Sequence, residues 1–308
     1  MHFRTHNTHF LLFSQYYIYR GVIILSLGLC LSGGGIKGAA HIGALQAIED
    51  NKISIEYISG TSSGSIVATL YAIGYTPSEI YTFFKKYARE ITHISVKEII
   101  KLIAGLLFKH KVIINGLNNG KKFEKIISKV CADKGVYTIN QIKFPLAIPS
   151  VNLKTGKTYI FTSQNVRSTY EDSYIYDNSI LISKAVRSSC SFPGIYSPCF
   201  YKDSPLVDGG IRENIPWKEL KNMGADKVIS ILFEIELKKD SFFDIFEVIT
   251  KSLDLLSHEL AIYEQIGSDY IIKINTQDTS LLDASKVDFL YNLGYSHMNK
   301  FLKSNCKL

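Results

Sequence analysis

Two glycine-bounded segments of this chain carry residue types suited to acyl transfer. In "ISIEYISGTSSGSIVATL" the run Gly60-Thr61-Ser62-Ser63-Gly64 separates an apolar, strand-like stretch from a helical one. A G-x-S-x-G sequence in that setting is a nucleophile elbow. The tight turn lifts Ser62 off the end of the sheet, and the glycines let the backbone pack closely around it. The helix that follows turns its N-terminal N–H groups and positive dipole end towards Ser62. The plainer alternative is an ordinary Gly/Ser turn, and the strand-to-helix placement speaks against it.

The second segment, "LSLGLCLSGGGIKGAAHIGAL", admits two readings. Gly33-x-Gly35-x-x-Gly38 matches the dinucleotide fingerprint between a strand and a helix, with Glu56 near the second strand as the acid that would hold a ribose. A ribose site and the Ser62 elbow would compete for one sheet edge. Alternatively, the three consecutive glycines expose successive N–H groups beside Ser62 as an oxyanion hole. Each such donor is worth ~2.7–4 kcal/mol of transition-state stabilisation, and Lys37 adds positive charge. A P-loop is excluded, because G-x-x-x-x-G-K-[ST] is absent.

A nucleophilic serine needs a base. The histidines are His2, His6, His9, His41, His93, His110, His258 and His297, and none sits in a tight Gly-bounded loop. His41 reads as a helix-packing residue. "LVDGGIREN" offers an acid instead: Asp208, followed by Gly209 and Gly210, which let another backbone approach the carboxylate. A carboxylate of ordinary pKa, ~3.9, is a weak base in water, so a useful one must be desolvated. A Ser–Asp–His triad stays open, since His258 and His297 follow Asp208 in chain order.

The elements that must position these residues read as follows. Val22 to Leu31 and Ile53 to Ile58 are buried strands. Gly38 to Asp50 and Ser63 to Ile73 are helices, the second ending at Gly74. That alternation marks a parallel sheet covered by helices. Thr76 to Cys131 reads as helical throughout. "FPLAIPSVNLKTGKTYIF" is a strand, a turn and a strand. Asp226 to Phe233 and Tyr270 to Ile274 are further strands, with helices in the remainder. No repeat or low-complexity linker divides the chain, so one α/β domain is expected.

Composition bounds the partners. The chain has 308 residues, 46% of them hydrophobic, and a net charge of +7. That balance fits an anionic partner. Between residues 81 and 130, Lys85, Lys86, Lys97, Lys101, Lys109, Lys111, Lys121 and Lys122 outnumber Glu90, Glu98 and Glu124. A basic amphipathic surface fits peripheral contact with an anionic lipid interface. The competing reading is an ordinary solvated helix surface, and no nucleic-acid motif accompanies the charge. Five cysteines without a C-x-x-C point to a reduced, cytoplasmic setting and to neither a disulfide framework nor a zinc site. Residues 1–21 read as an N-terminal extension. The extension reads as disordered or loosely docked, with a membrane-seeking tail as the alternative: Arg20 splits the apolar stretch that runs on to Leu31, and neither half reaches the ~20 residues of a spanning helix.

Taken in order, Gly33-Gly34-Gly35-Ile36-Lys37-Gly38, Gly60-Thr61-Ser62-Ser63-Gly64 and Asp208-Gly209-Gly210 resemble the motifs of the patatin-like phospholipase family. The stretch "AVRSSCSFPGIYSP" ahead of the aspartate resembles it as well. The resemblance spans about Gly28 to Pro216. It implies a three-layer α/β/α fold with a mostly parallel central sheet, its core over 22–216 and 217–308 completing the same domain. It also implies hydrolysis of lipid acyl esters without a metal or other cofactor. Carried over, Ser62 is the nucleophile and Asp208 the base of a dyad. The oxyanion donors fall within Gly33 to Gly38, first among Gly33, Gly34, Gly35 and Ile36. Lys37 stands where the family commonly has arginine, and the extension is foreign to its pattern. A dinucleotide-binding protein and a catalytically idle lipid-binding relative are the rival readings.

Overall fold

The apolar run ahead of the glycine loop faces two ways. Leu27, Leu29 and Leu31 join a large buried cluster, and Cys30 joins a smaller one on the opposite side. A strand buried on both faces belongs to a sheet with helices on each side. That is the architecture of the computed structural model, which describes residues 25–92, 97, 100–101, 104, 115–166, 172–234, 245–277 and 279–305, with pieces at 18–19 and 22–23.

In chain order, β1 (Ile18–Tyr19) and β2 (Val22–Ile23) form a separate antiparallel hairpin. The main sheet holds β3 (Leu27–Leu31), β4 (Tyr57–Gly60), β5 (Leu146–Asn152), β6 (Thr158–Thr162), β7 (Tyr174–Asp177), β8 (Cys199–Tyr201), β9 (Ser204–Asp208), β10 (Lys227–Glu234) and β11 (Tyr270–Asn275). Its order is β11-β10-β3-β4-β5-β6-β7, with β9 pairing β5 and β8 pairing β9. The pairs from β11 to β5 are parallel, as is β6 with β7, while β5–β6, β5–β9 and β8–β9 are antiparallel. This is a mostly parallel α/β sheet, as expected.

The helices whose bounds lie among the described residues are α1 (Gly38–Asp50), α2 (Ser63–Ala72), α3 (Pro77–Ile91), α4 (Lys121–Asp133), α5 (Ile182–Ser189), α6 (Trp217–Met223), α7 (Ile245–Glu264) and α8 (Val287–Ser304). Ile42 and Leu45 of α1, Ile66 and Leu70 of α2, and Leu290 and Met298 of α8 cover one face with the β3 leucines. Leu220 of α6 and Ala261 of α7 cover the other, against Val228 and Leu232. The apolar residues of β10 thus alternate between the layers, Ile229, Ile231 and Phe233 facing one and Val228 and Leu232 the other.

Three expectations need correction. The strand expected over Val22–Leu31 enters the sheet only at Leu27, because Asp226 takes the Ser26 N–H and hydroxyl at 2.9 and 2.8 Å. The second strand is Tyr57–Gly60 and not Ile53–Ile58, since the Ile53 N–H still closes the end of α1 on the Ile48 carbonyl at 3.1 Å. The stretch Thr76–Cys131 is not one helical run. Asn118 and Asn119 cap the N–H groups of Gly120 and Lys121 with their own side chains at 2.8 and 3.0 Å. Such local bonds compete with a helix, and Asn118 bridges to Tyr196 instead.

Several lysines of the basic stretch have partners on this surface. Lys85 pairs with Asp288 at 3.0 Å and Lys122 with Glu90 at 3.6 Å, while Lys86 lies over the Tyr87 ring. Lys109 and Lys111 lie outside the described residues, as does the extension apart from Ile18–Tyr19. Among the described residues, no helix is long and apolar enough to cross a membrane.

Candidate active site

Ser62 sits between the carboxyl end of β4 and the first turn of α2. Its backbone has φ 51° and ψ −123°, a region that costs a non-glycine residue of order 1–3 kcal/mol. The turn is held in that state from several sides. A side chain on Gly60 would run into the Gly64 carbonyl, and one on Gly64 into the Leu31 carbonyl of the neighbouring strand. The Ser62 N–H donates to Ser189 Oγ at the end of α5, 3.0 Å away, and the Ser62 carbonyl accepts from Ser65 Oγ at 2.6 Å. Thr61 Oγ1 donates to the Glu213 carbonyl at 2.9 Å.

Asp208 is the last residue of β9, opposite Ser150 of β5. Its N–H donates to the Ser191 carbonyl at 3.1 Å. Oδ1 accepts the Gly210 N–H at 2.9 Å and so caps the turn Gly209–Ile211. Gly209 lies flush against the Pro149 carbonyl, where a side chain has no room. Oδ2 is fully buried and has no hydrogen bond of ordinary geometry. Burial pushes the carboxyl up to about 7, against the downward pull of the Gly210 N–H and of the neighbouring Ser62 hydroxyl.

The glycine loop lies beside the elbow: the space a side chain on Gly33 would take is 3.2 Å from Ser62 Cβ. Four of its six N–H groups are committed. Gly33 donates to Asn214 Oδ1 at 2.9 Å, Ile36 to the Leu281 carbonyl at 2.9 Å, Lys37 to the Gly34 carbonyl at 3.1 Å, and Gly38 to the carbonyls of Gly35 and Ile36. The N–H groups of Gly34 and Gly35 have no acceptor among the described residues. The expected donor set of Gly33 to Gly38 therefore narrows to Gly34 and Gly35. Gly35 has φ 58°, and the Phe233 ring lies 2.5 Å from where a Gly34 side chain would start.

These groups share one cavity of about 200 Å³, lined by Gly33 to Lys37, Ser62, Asp208 and Gly210. The remaining wall is mainly apolar, with Ile66, Phe192, Ile195, Tyr196, Leu232, Phe233, Leu253, Leu256 and Leu281. Gly38, Gly60, Gly64 and Gly209 stand behind the cavity and shape its backbone.

Among the described residues, no histidine bonds Asp208 or Ser62. His258 of α7 lines the cavity, but the Asp208 carboxylate takes its hydrogen bond from the Gly210 N–H and not from that ring. His297 bonds the Leu293 carbonyl of its own helix at 2.9 Å. His41 is buried under the loop, bonded to the Ser32 carbonyl at 2.9 Å and held down to about 4 by burial. His93 and His110 lie outside the described residues. The ribose acid is misplaced as well. Glu56 accepts the Leu27 N–H at 2.7 Å, at the amino end of β3, whereas the glycine loop leaves the carboxyl end.

Sequence reasoning missed Asn214, Ser189 and Glu264, and it did not assign the cavity wall to α7. Asn214 stands six residues past Asp208, close enough to be flagged, but nothing in the spacing says that its side chain reaches Gly33.

A family model described as patatin-like phospholipase matches residues 29–221. The chain is 33% identical over 293 residues to the uncharacterized protein R571 of Acanthamoeba polyphaga mimivirus, covering 86% of this chain and 90% of that protein. It is 28% identical over 206 residues to lysophospholipase NTE1 of Meyerozyma guilliermondii, covering 67% of this chain but only 12% of that enzyme's length. Among solved structures, VipD from Legionella pneumophila aligns with a TM-score of 0.49 at 17% identity, over 92% of this chain and 67% of that one. Human GIVD cytosolic phospholipase A2 in complex with methyl gamma-linolenyl fluorophosphonate aligns with a TM-score of 0.45 at 10% identity, over 91% and 58%.

Proposed function

Because the chain belongs to the patatin-like phospholipase family, a family of lipid-ester hydrolases, we propose that it cleaves fatty-acyl esters of lipids through a Ser62–Asp208 dyad. The observation that carries the reading is a strained serine sharing a cavity with a buried carboxylate whose Oδ2 lacks a partner. A base of ordinary carboxylate pKa would take a serine proton poorly. One raised to about 7 is matched to neutral pH.

In this mechanism Asp208 Oδ2 takes the proton of Ser62 Oγ as Oγ attacks the ester carbonyl. The N–H groups of Gly34 and Gly35 receive the oxyanion, supported by the positive end of α2. The tetrahedral intermediate collapses to acyl-Ser62, and the protonated Asp208 returns its proton to the departing alcohol. Asp208 then activates water, which releases the fatty acid. The apolar cavity wall suits an acyl chain. The lysophospholipase relatives point to a monoacyl phospholipid as the first substrate to try. Such an ester is drawn from a lipid surface, so peripheral membrane contact belongs to the same reading.

The test compares wild type with Ser62→Ala on a panel of phospholipids, lysophospholipids and acylglycerols, with fluorophosphonate labelling alongside. Wild type should hydrolyse at least one class and take the label, and the variant should do neither. Labelling that persists in a folded Ser62→Ala would remove Ser62 as nucleophile. A wild type inert to every ester and to the label would leave an idle lipid-binding relative.

A further inference from the structure

Three consecutive glycines form a loose platform for an oxyanion. Each residue held in place loses backbone entropy, and glycine more than most. Donors to a developing charge are effective only when already in place. Something in the fold must therefore hold this loop before substrate arrives. Its far end is tied by the Leu281 carbonyl on Ile36 N–H. Its near end is tied by one side chain from far along the sequence: Asn214 Oδ1 accepts the Gly33 N–H at 2.9 Å.

Asn214 is itself fastened. Its N–H donates to Glu264 Oε2 at 2.9 Å, and the Ile215 N–H donates to the same oxygen at 3.0 Å. Glu264 is the last residue of α7 and is mostly buried. The preceding residue in the segment, Glu213, offers its carbonyl to Thr61 Oγ1 of the elbow at 2.9 Å. One stretch, residues 213–215, thus references the glycine loop and the Ser62 turn to each other. It also ties both to the helix that walls the cavity.

We infer that Asn214 is a positioning residue that holds Gly33 so that the Gly34 and Gly35 N–H groups face the oxyanion, and that Glu264 holds Asn214 in that role. The inference rests on the reading of this loop as an oxyanion hole. The Asn214 amide supplies an acceptor without charge. An aspartate there would also accept from Gly33, but would set a negative charge beside the developing oxyanion. An alanine leaves the Gly33 N–H without its partner.

The experiment uses the full chain and has two readouts. The first is amide hydrogen exchange of the peptide spanning the loop, which needs no turnover. Asn214→Ala should expose the Gly33 amide and speed its exchange at least about tenfold while peptides of α1 stay protected. The second is steady-state kinetics on an ester that wild type cleaves, with the rate of fluorophosphonate labelling. Asn214→Ala should lower kcat about 10–100-fold, leave KM within about threefold, and slow labelling in parallel. Glu264→Gln keeps an acceptor oxygen without the charge and should show the same pattern more weakly, with kcat falling up to about tenfold. It also stands in if Asn214→Ala does not fold. A folded Asn214→Ala with near-normal kcat, a loss confined to KM, or unchanged loop exchange would overturn the role of Asn214. A Glu264→Gln of unchanged kcat would overturn that of Glu264. A wild type that neither cleaves esters nor takes the label fails the hydrolase reading itself, which those outcomes in an active enzyme do not.

Discussion

Asp208 shows what burial does to a carboxylate's share in stability. Its pKa is raised by burial from 3.8 to about 7, so the folded state prefers the protonated acid more than the unfolded chain does. Ionising it therefore works against folding. Stability falls as pH rises between those two values and stays lower above them, by at most about 4 kcal/mol. Asp208→Asn should melt at a higher temperature than wild type at pH 8 and lose that advantage near pH 4, which thermal denaturation at both pH values checks. The same variant should lose about 10²–10⁴-fold in kcat, the usual worth of a general base. Wild-type kcat/KM should climb to a plateau above about pH 7. His258→Ala and His297→Ala should each keep kcat within about threefold, because neither ring bonds Asp208 or Ser62. A large loss in either, with the fold intact, would restore a triad.

At the scale of elements, two close approaches carry the arrangement. The glycine loop passes under Phe233, so Gly34→Val would drive its side chain into that ring. Such a variant should fold but lose about 10²-fold or more in kcat through misplaced donors, and wild type titrated with NAD should show no binding. Micromolar NAD binding would revive the dinucleotide reading, although Glu56 stands at the wrong end of the sheet for it. Elsewhere α1 and α8 cross with Gly43 against the Tyr291 carbonyl and Gly294 against the Ala40 carbonyl, leaving no space for a side chain on either. Gly294→Val should force the helices apart and destabilise by about 1–3 kcal/mol. Thermal denaturation would show this as a lower Tm, with kcat at low temperature little changed, since none of Ala40, Gly43, Tyr291 and Gly294 lines the cavity.

Across the whole molecule, buried carboxylates gather beneath the site. Burial raises Glu213, Glu219 and Glu264 as it does Asp208, and Glu264 reaches about 7. Their contribution has one sign: stability declines as pH rises from their unfolded values towards neutrality. Asp269 and Asp288, nearer the surface, behave oppositely. Lysine bonds lower Asp269, and bonds from Tyr81 and Lys85 lower Asp288, so their support is lost only as pH falls below about 4. The two trends predict the highest Tm near pH 5 and a lower one at pH 8, whereas activity rises over that interval. A Tm that climbs steadily from pH 5 to pH 8 would contradict the buried-acid account.

The elbow, the glycine loop and the Asp208 turn were legible in the residues because each depends on local chemistry. A tight turn wants glycine at fixed offsets, and a helix start follows within a residue or two. The helix Gly38–Asp50 and the hairpin of Leu146–Asn152 with Thr158–Thr162 were legible for the same reason: periodicity and turn residues act over short range. What the residues left open was everything that crosses the chain. Parallel pairing of β3 with β4 brings the loop to Ser62, and the antiparallel β9 delivers Asp208 from well over a hundred residues away. Only that assembly shows that four loop N–H groups are already bonded, that Oδ2 is stripped of partners, and that Asn214 answers Gly33. Hydrogen bonds between distant segments and the desolvation of a carboxylate are set by what packs around a group, and no spacing along the chain encodes that surrounding.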